Sequence, residues 1–265
     1  ARPRRAPDAA PCLPAAAMVA ESVVQLAQRR NIRSVGVMIA DYAWGQSFKS
    51  SLEDEAKSTP NVKFNLQVAP VPTTNFTPYL RAMGDVSLIV ATGHPPGAPL
   101  VLAQAGQLGL KAPVVGADGP WSLTAKSAST SAFGRYSDFK CMATATQGYK
   151  KLAKRYLRTF PQNEFFEDDA LAGYAYVKIV AEAIQAVGPN ATRIAAYIHS
   201  HTFNIPGYAW PLRWTAWGEM IGARPQYAIL TKSAPPERGL NTASTTFWPR
   251  VIFKSPPLKV YRPPS

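Results

Sequence analysis

Apolar and polar positions alternate with two different periods along this chain. Residues 18–30, MVAESVVQLAQRR, put Val19, Val23, Leu26 and Ala27 on one side of a helix, with Arg29 and Arg30 near its C-terminal end, where positive charge is favoured. RSVGVMIA, Arg33 to Ala40, is a short apolar run with β-branched residues and predicts a buried strand. From Gln46 onward, Phe48, Leu52 and Ala56 recur at helical spacing. VKFNLQV, Val62 to Val68, alternates strictly and predicts a half-buried strand. In PVPTTNFTPYLRAMG, Thr77 suits a cap, Pro78 a first helical turn and Gly84 a stop. VSLIVA (Val86 to Ala91) and APVVG (Ala112 to Gly116) predict two more strands around a helix that runs through Gln107 and stops at Gly109. Helix and strand alternate four times, which argues for an α/β chain with a parallel, doubly wound sheet.

Beyond Thr146 the pattern changes. Tyr149 to Phe160, Asp169 to Val187 and Ala191 to His201 read as three helices with no strand between them, capped by Asp168 or Asp169 and by Asn190. Tyr149, Leu152, Tyr156 and Phe160 form an apolar stripe that needs a surface to bury against. From Pro206 to Thr231 a β-like alternation returns around Trp210, Leu212, Trp214 and Trp217. No period of 20–50 residues repeats, so no solenoid is expected. The expected segments are a Pro/Arg-rich leader over 1–14, an α/β lobe over 15–146, helices over 147–203, returning strands over 204–232 and a Pro-rich basic tail over 233–265.

Composition narrows the reading. The chain has 265 residues, 46% of them hydrophobic, which suffices for one large domain or two small ones. No run approaches 18 uninterrupted apolar residues, so no membrane span is expected, and the first residues do not read as an intact signal peptide. The net charge of +13 raises nucleic acid as a partner. Residues 1–17 and 233–265 hold eight Lys/Arg against two acids, so the Pro-rich ends supply +6 of that charge. Such ends read as poorly ordered extensions. In GYKKLAKRYLRTF the aromatics sit at helical spacing and so face inward, leaving the cations as a solvated face rather than a nucleic-acid site. Cys12 and Cys141 are too few for a disulfide framework; two unrelated thiols are expected, with a single bridge as the alternative.

Catalysis finds little support. The three histidines, His94, His199 and His201, form no motif, and GxSxG, HExxH, the phosphate-binding GxxxxGK[ST] and CxxC are absent. No cofactor or metal is indicated. The better candidates are loops at strand ends: DYAWGQS after Ile39, TGHPPGA after Ala91 and ADGPWS after Gly116. Open α/β sheets bind ligands outside the carboxyl ends of their strands, where the following helices also aim their N-termini. Asp41, Tyr42, Trp44, His94, Asp118 and Trp121 would then lie near one another, Asp118 receiving a cationic group and Trp44 an apolar or aromatic one. The alternative to a functional role is that Gly and Pro in these loops make turns and Asp caps.

Three of these segments, IADYAWGQSFKSSLEDE, TTNFTPYLRAM and VSLIVATGHPPGAPLVLAQAGQLGLKAPVVGADG, resemble in order the type I periplasmic solute-binding proteins of ABC importers, the Leu/Ile/Val-binding type. DDALAGYAYVKIVAEAIQAVG is similar to the long helix near that family's hinge. The resemblance runs from about Met18 to Thr231. It implies two α/β lobes closing on a ligand cleft, with 15–146 as one lobe and the helices of 147–203 as part of another whose earlier portion is missing. It further implies a small-molecule ligand (an amino acid, or an aromatic or other organic acid), membrane permease subunits as partners, no nucleic acid, and a periplasmic location. Trp44 stands where the family commonly has Tyr, His94 or Pro95 where an aromatic lines the cleft, and Asp118 where an acid meets a ligand ammonium. Two alternatives remain open: a sensory or regulatory ligand-binding domain on the same fold, and an inactive truncated fragment. A helix-turn-helix or kinase in the same reading frame would favour the sensor, and a neighbouring permease and ATPase would favour transport.

Overall fold

The computed structural model describes residues 15–92, 97–117, 136–161, 166, 168–231 and 248–260. The elements in chain order are α1 (Ala16–Arg29), β1 (Ser34–Ala40), α2 (Ala43–Lys57), β2 (Lys63–Ala69), α3 (Thr77–Met83), β3 (Leu88–Ala91), α4 (Gly97–Gln107), β4 (Val114–Gly116), β5 (Tyr136–Lys140), α5 (Gln147–Thr159), α6 (Asp168–Val187), α7 (Ala191–Ser200), β6 (Gln226–Thr231) and β7 (Trp248–Lys254). They build one seven-stranded sheet in the order β2-β1-β3-β4-β5-β6-β7. β2 through β5 are parallel, whereas β6 and β7 each pair antiparallel to their neighbour. The fold is α/β, as the helix–strand alternation predicts.

The strand period of two sorts the apolar runs into two cores. Val35, Val37 and Ile39 of β1, Leu88 and Val90 of β3, and Val115 of β4 join the layer formed with α1 and α2. Their neighbours Met38, Ile89, Ala91 and Val114 join the layer formed with α3 and α4. A strand buried on both faces must be apolar throughout, which is why these runs do not alternate in sequence. Gly36 on β1 permits the approach of α3, because a Cβ there would stand 2.7 Å from the Met83 sulfur.

Details depart from the sequence reading where tertiary contacts intervene. Thr77 does not cap α3; its hydroxyl turns to the Gln104 side chain, and Asn75 Oδ1 accepts the Thr77 N–H instead. Gly84 ends α3 with φ +68°, and Asn190 caps α7 by accepting the Arg193 N–H, both as expected. On α5 the buried positions are Tyr149, Ala153 and Leu157, with Phe160 left 43% exposed, so the inward face is rotated from the stripe expected. Trp210, Leu212 and Trp214 are buried, but they are held by isolated bridges (Phe203 with Leu212, Trp214 with Met220) rather than by a regular strand.

The expectation of a poorly ordered tail over 233–265 fails at β7. That strand lies at the sheet edge, the position where Pro249 is tolerated because no further strand needs its missing N–H. Leu258 is buried beyond it, and the Lys259 N–H donates to the buried Glu21 carboxylate. Cys141 is disulfide-bonded rather than an unrelated thiol; the only other cysteine in the sequence is Cys12, which lies outside the described residues. Among the described residues α6 is long and apolar enough to cross a membrane by length and composition only, although it contains no uninterrupted apolar run of that length. Leu171, Ala175, Ile179 and Ala183 seat one of its faces inside the molecule.

Candidate functional site

The strand order reverses direction at β1. From β1 the chain steps to β2 on one side and then crosses to β3 on the other. At such a switch point the loops leaving the two adjacent strands diverge to opposite faces and open a crevice at the carboxyl ends. Parallel pairing brings the ends together: Met38 faces Ala91, and Ala91 faces Gly116. Hydrogen bonds tie them further. The Ala40 N–H donates to the Thr92 hydroxyl at 3.0 Å, the Thr92 N–H to the Met38 carbonyl at 2.9 Å, and the Ala117 N–H to the Ala91 carbonyl at 3.0 Å.

The loop after β1 is short because α2 starts almost at once. Gly45 makes this possible. A Cβ on Gly45 would stand 2.0 Å from the Ala40 carbonyl oxygen, so only glycine lets the first turn of α2 settle on the strand end. Tyr42 is the N-cap residue in extended conformation, and its side chain makes no capping hydrogen bond. Trp44 stacks on Phe48 with ring centroids 5.3 Å apart and on Tyr42 at 6.4 Å. Phe48 is fully buried, so the half-exposed Tyr42 and Trp44 are anchored to the core through it. Asp41 is engaged by Gln46, whose Nε2 donates to Oδ1 at 2.6 Å.

Of the residues expected at this site, Tyr42 and Trp44 are brought together at the β1 end. His94, Asp118 and Trp121 lie outside the described residues, although the strands that lead to them end beside β1. Sequence reasoning missed Thr92, Gln104 and the reason for Gly45. Gln104 holds the TTNFTPYL segment beside β3: its Oε1 accepts the Phe76 N–H at 2.6 Å, and its Nε2 donates to the Thr74 carbonyl at 2.8 Å. Its place in QAGQLGL was the available signal, but the motif does not say which residue α4 turns toward residues 73–77. Among the described residues no cluster of three or more His, Cys, Asp or Glu could hold a metal.

Away from this crevice, two segments that link the sheet to α5–α7 pair with each other. Met142 bridges Tyr208, the Ala143 N–H donates to Gly207 at 2.7 Å, and the Ala209 N–H donates to Cys141 at 2.9 Å. Asp168, buried in the first turn of α6, accepts the Cys141 N–H at 3.0 Å. Burial holds the Tyr208 phenol well above its usual range, with Asp168 and Tyr176 acting in the same direction, and its buried hydroxyl has no hydrogen-bond partner.

The family model for periplasmic binding proteins matches residues 2–216. No curated protein matches the sequence. Among solved structures, a branched chain amino acid ABC transporter periplasmic ligand-binding protein from Burkholderia xenovorans LB400 is similar at TM-score 0.72 and 18% identity, covering 91% of this chain and 63% of its own. The leucine-, isoleucine-, valine-, threonine- and alanine-binding protein from Brucella ovis gives 0.73 and 17%, covering 91% and 63%. A solute binding protein of an ABC transporter from R. palustris, in complex with benzoate, gives 0.69 and 13%, covering 92% and 64%. At these identities the likeness concerns the fold, the type I periplasmic-binding fold, and this chain spans less than two thirds of each of these structures.

Proposed function

This chain belongs to the periplasmic binding protein family, and from that premise we propose that it captures a small organic solute for an ABC importer. The solute is an amino acid of the branched-chain type or a related organic acid, held at the carboxyl ends of β1, β3 and β4. The observation that carries this reading is the Tyr42–Trp44 pair at the switch point, anchored on Phe48. An aromatic wall of this kind packs against an aliphatic or aromatic side chain. The N-terminus of α2, which the Tyr42 side chain does not cap, favours a carboxylate nearby. His94, Asp118 and Trp121 complete the proposed lining, with Asp118 meeting an ammonium group. The named ligands of structural neighbours, branched-chain amino acids in one case and benzoate in another, are compatible with such a wall.

On this reading the protein is a periplasmic binder and not an enzyme. Helices α5–α7 belong to a second lobe, the paired segments at Cys141 and Tyr208 form the hinge, and a membrane permease recognises the closed form. The test is thermal unfolding of the purified chain with a panel of amino acids and aromatic acids. A ligand at about 100 times its dissociation constant stabilises by about 2.7 kcal/mol, a shift of roughly 5–10 °C for a chain of this size. The shift should vanish in Trp44→Ala, and Asp118→Asn should weaken amino acids selectively. A flat panel from a cooperatively folded chain would refute binding by this polypeptide alone.

That outcome would favour the alternative that the chain is an inactive fragment, for which α6 supplies an observation. Val177 is 72% exposed, with Val180 and Ile184 beside it at 37% and 39%. These residues lie on the side of α6 opposite its buried stripe, an apolar face of the kind a further layer covers.

A further inference from the structure

We propose that α5 is an electrostatic docking face for an anionic lipid surface. The inference is independent of the solute crevice and holds or fails whether or not a solute binds.

The helical period divides α5 cleanly. Tyr149, Ala153 and Leu157 are buried, and Leu152 and Tyr156 pack against the same core. Lys150, Lys151, Lys154, Arg155 and Arg158 all fall on the other side, within an arc of about 140° at about 100° per residue. Lys151, Lys154, Arg155 and Arg158 are exposed, and none of these four forms an ion pair among the described residues. From Lys150 to Arg158 the helix advances about 12 Å. Cations three or four residues apart on this face have Cβ atoms about 5–6 Å apart, within the Debye length of about 8 Å at physiological ionic strength, and they act together.

Charge complementarity calls for an anionic partner, and the composition of the face selects which kind. Besides Gln147 in the first turn, the arc contains only Lys and Arg, with no aromatic or methionine side chain. Centres of protein–protein interfaces are enriched in those residues and depleted in Lys. A fluid layer of anionic headgroups needs no shape match, only a density of positive charge. Because the apolar side of α5 is committed to the core, adsorption would rest on charge and fade with added salt.

The test is cosedimentation of the full chain with vesicles of phosphatidylglycerol mixed with phosphatidylcholine, and with phosphatidylcholine alone. The chain is expected to bind the mixed vesicles at low ionic strength, to ignore the neutral ones and to be released by salt. Each basic residue near such a surface multiplies partitioning by roughly fivefold, so joint replacement of Lys151, Lys154, Arg155 and Arg158 by Gln should lower it by more than about a hundredfold. A variant with the same net charge, Lys63→Gln, Arg81→Gln, Lys111→Gln and Arg224→Gln, should keep most of the binding; circular dichroism checks that both fold. Equal loss in the two variants would overturn the proposal, since net charge alone would then be responsible. So would unchanged binding in the α5 variant, or capture by immobilised polyglutamate with no binding to vesicles, which would point to an acidic protein instead.

Discussion

Replacing Gly45 by Ala sets two effects of opposite sign against each other. Gly45 lies in the first turn of α2, and alanine is the better helix former by about 1 kcal/mol. Read from helix propensity alone, the substitution stabilises. The structure says otherwise, because the new methyl carbon would stand 2.0 Å from the Ala40 carbonyl oxygen and 3.3 Å from the Ile39 side chain. A carbonyl at the end of a central strand cannot rotate aside without losing register, so α2 must lift by more than about 1 Å to reach ordinary contact at roughly 3.5 Å. Overpacking of this kind costs typically 1–3 kcal/mol, and backbone as the obstacle argues for the upper part of that range. The net expectation is a loss of about 2 kcal/mol, or roughly 4–8 °C in melting temperature. Gly106→Ala and Gly173→Ala are the controls. Both positions lie within exposed helix and meet nothing within 4 Å, so both should gain up to about 1 kcal/mol. Thermal unfolding followed by circular dichroism separates the outcomes, and Trp fluorescence reports any displacement of Trp44. A melting temperature for Gly45→Ala at or above that of the parent would refute the claim that this contact positions the aromatic pair.

Two further predictions concern residues that tie together segments distant in the chain. Gln104→Ala removes the acceptor of the Phe76 N–H and the donor to the Thr74 carbonyl, leaving a buried amide unpaired; a loss of about 1–3 kcal/mol in urea unfolding is expected, and an unchanged midpoint would show that the segment is held by other contacts. Burial pushes the Glu21 carboxyl above the usual carboxylate range, more than the Lys259 N–H and the Lys259 charge pull it down. The folded chain thus binds a proton at Glu21 that the unfolded chain has already lost above about pH 4.3, and this contribution to stability disappears as pH rises through the raised value. Glu21→Gln keeps an acceptor for Lys259 and removes the ionisation, so its stability relative to the parent should rise with pH across that window; a pH-independent difference would contradict this assignment.

What the sequence alone determined follows from local physics. The apolar runs at β1, β3 and β4, the glycine stop at Gly84 and the Asn190 cap are each governed by residues within a turn or strand of one another. Their alternation with helices was enough to infer the α/β sheet, and with it the idea that strand-end loops carry the site. Tertiary structure decided whatever depends on residues distant in the chain. Strand β7 reads as tail because Pro-rich stretches flank it; the Trp, Val, Ile and Phe of WPRVIFK favour a strand, and the open edge of β6 gives it a partner. The rotation of α5 that buries Leu157 and exposes Phe160 depends on where Phe166 and the rest of the core stand, since both residues are apolar and periodicity cannot choose between them. Gly45 shows the limit most plainly. Sequence marks it as a turn glycine, whereas its requirement comes from the Ala40 carbonyl oxygen, and that contact exists only once β1 and α2 have packed.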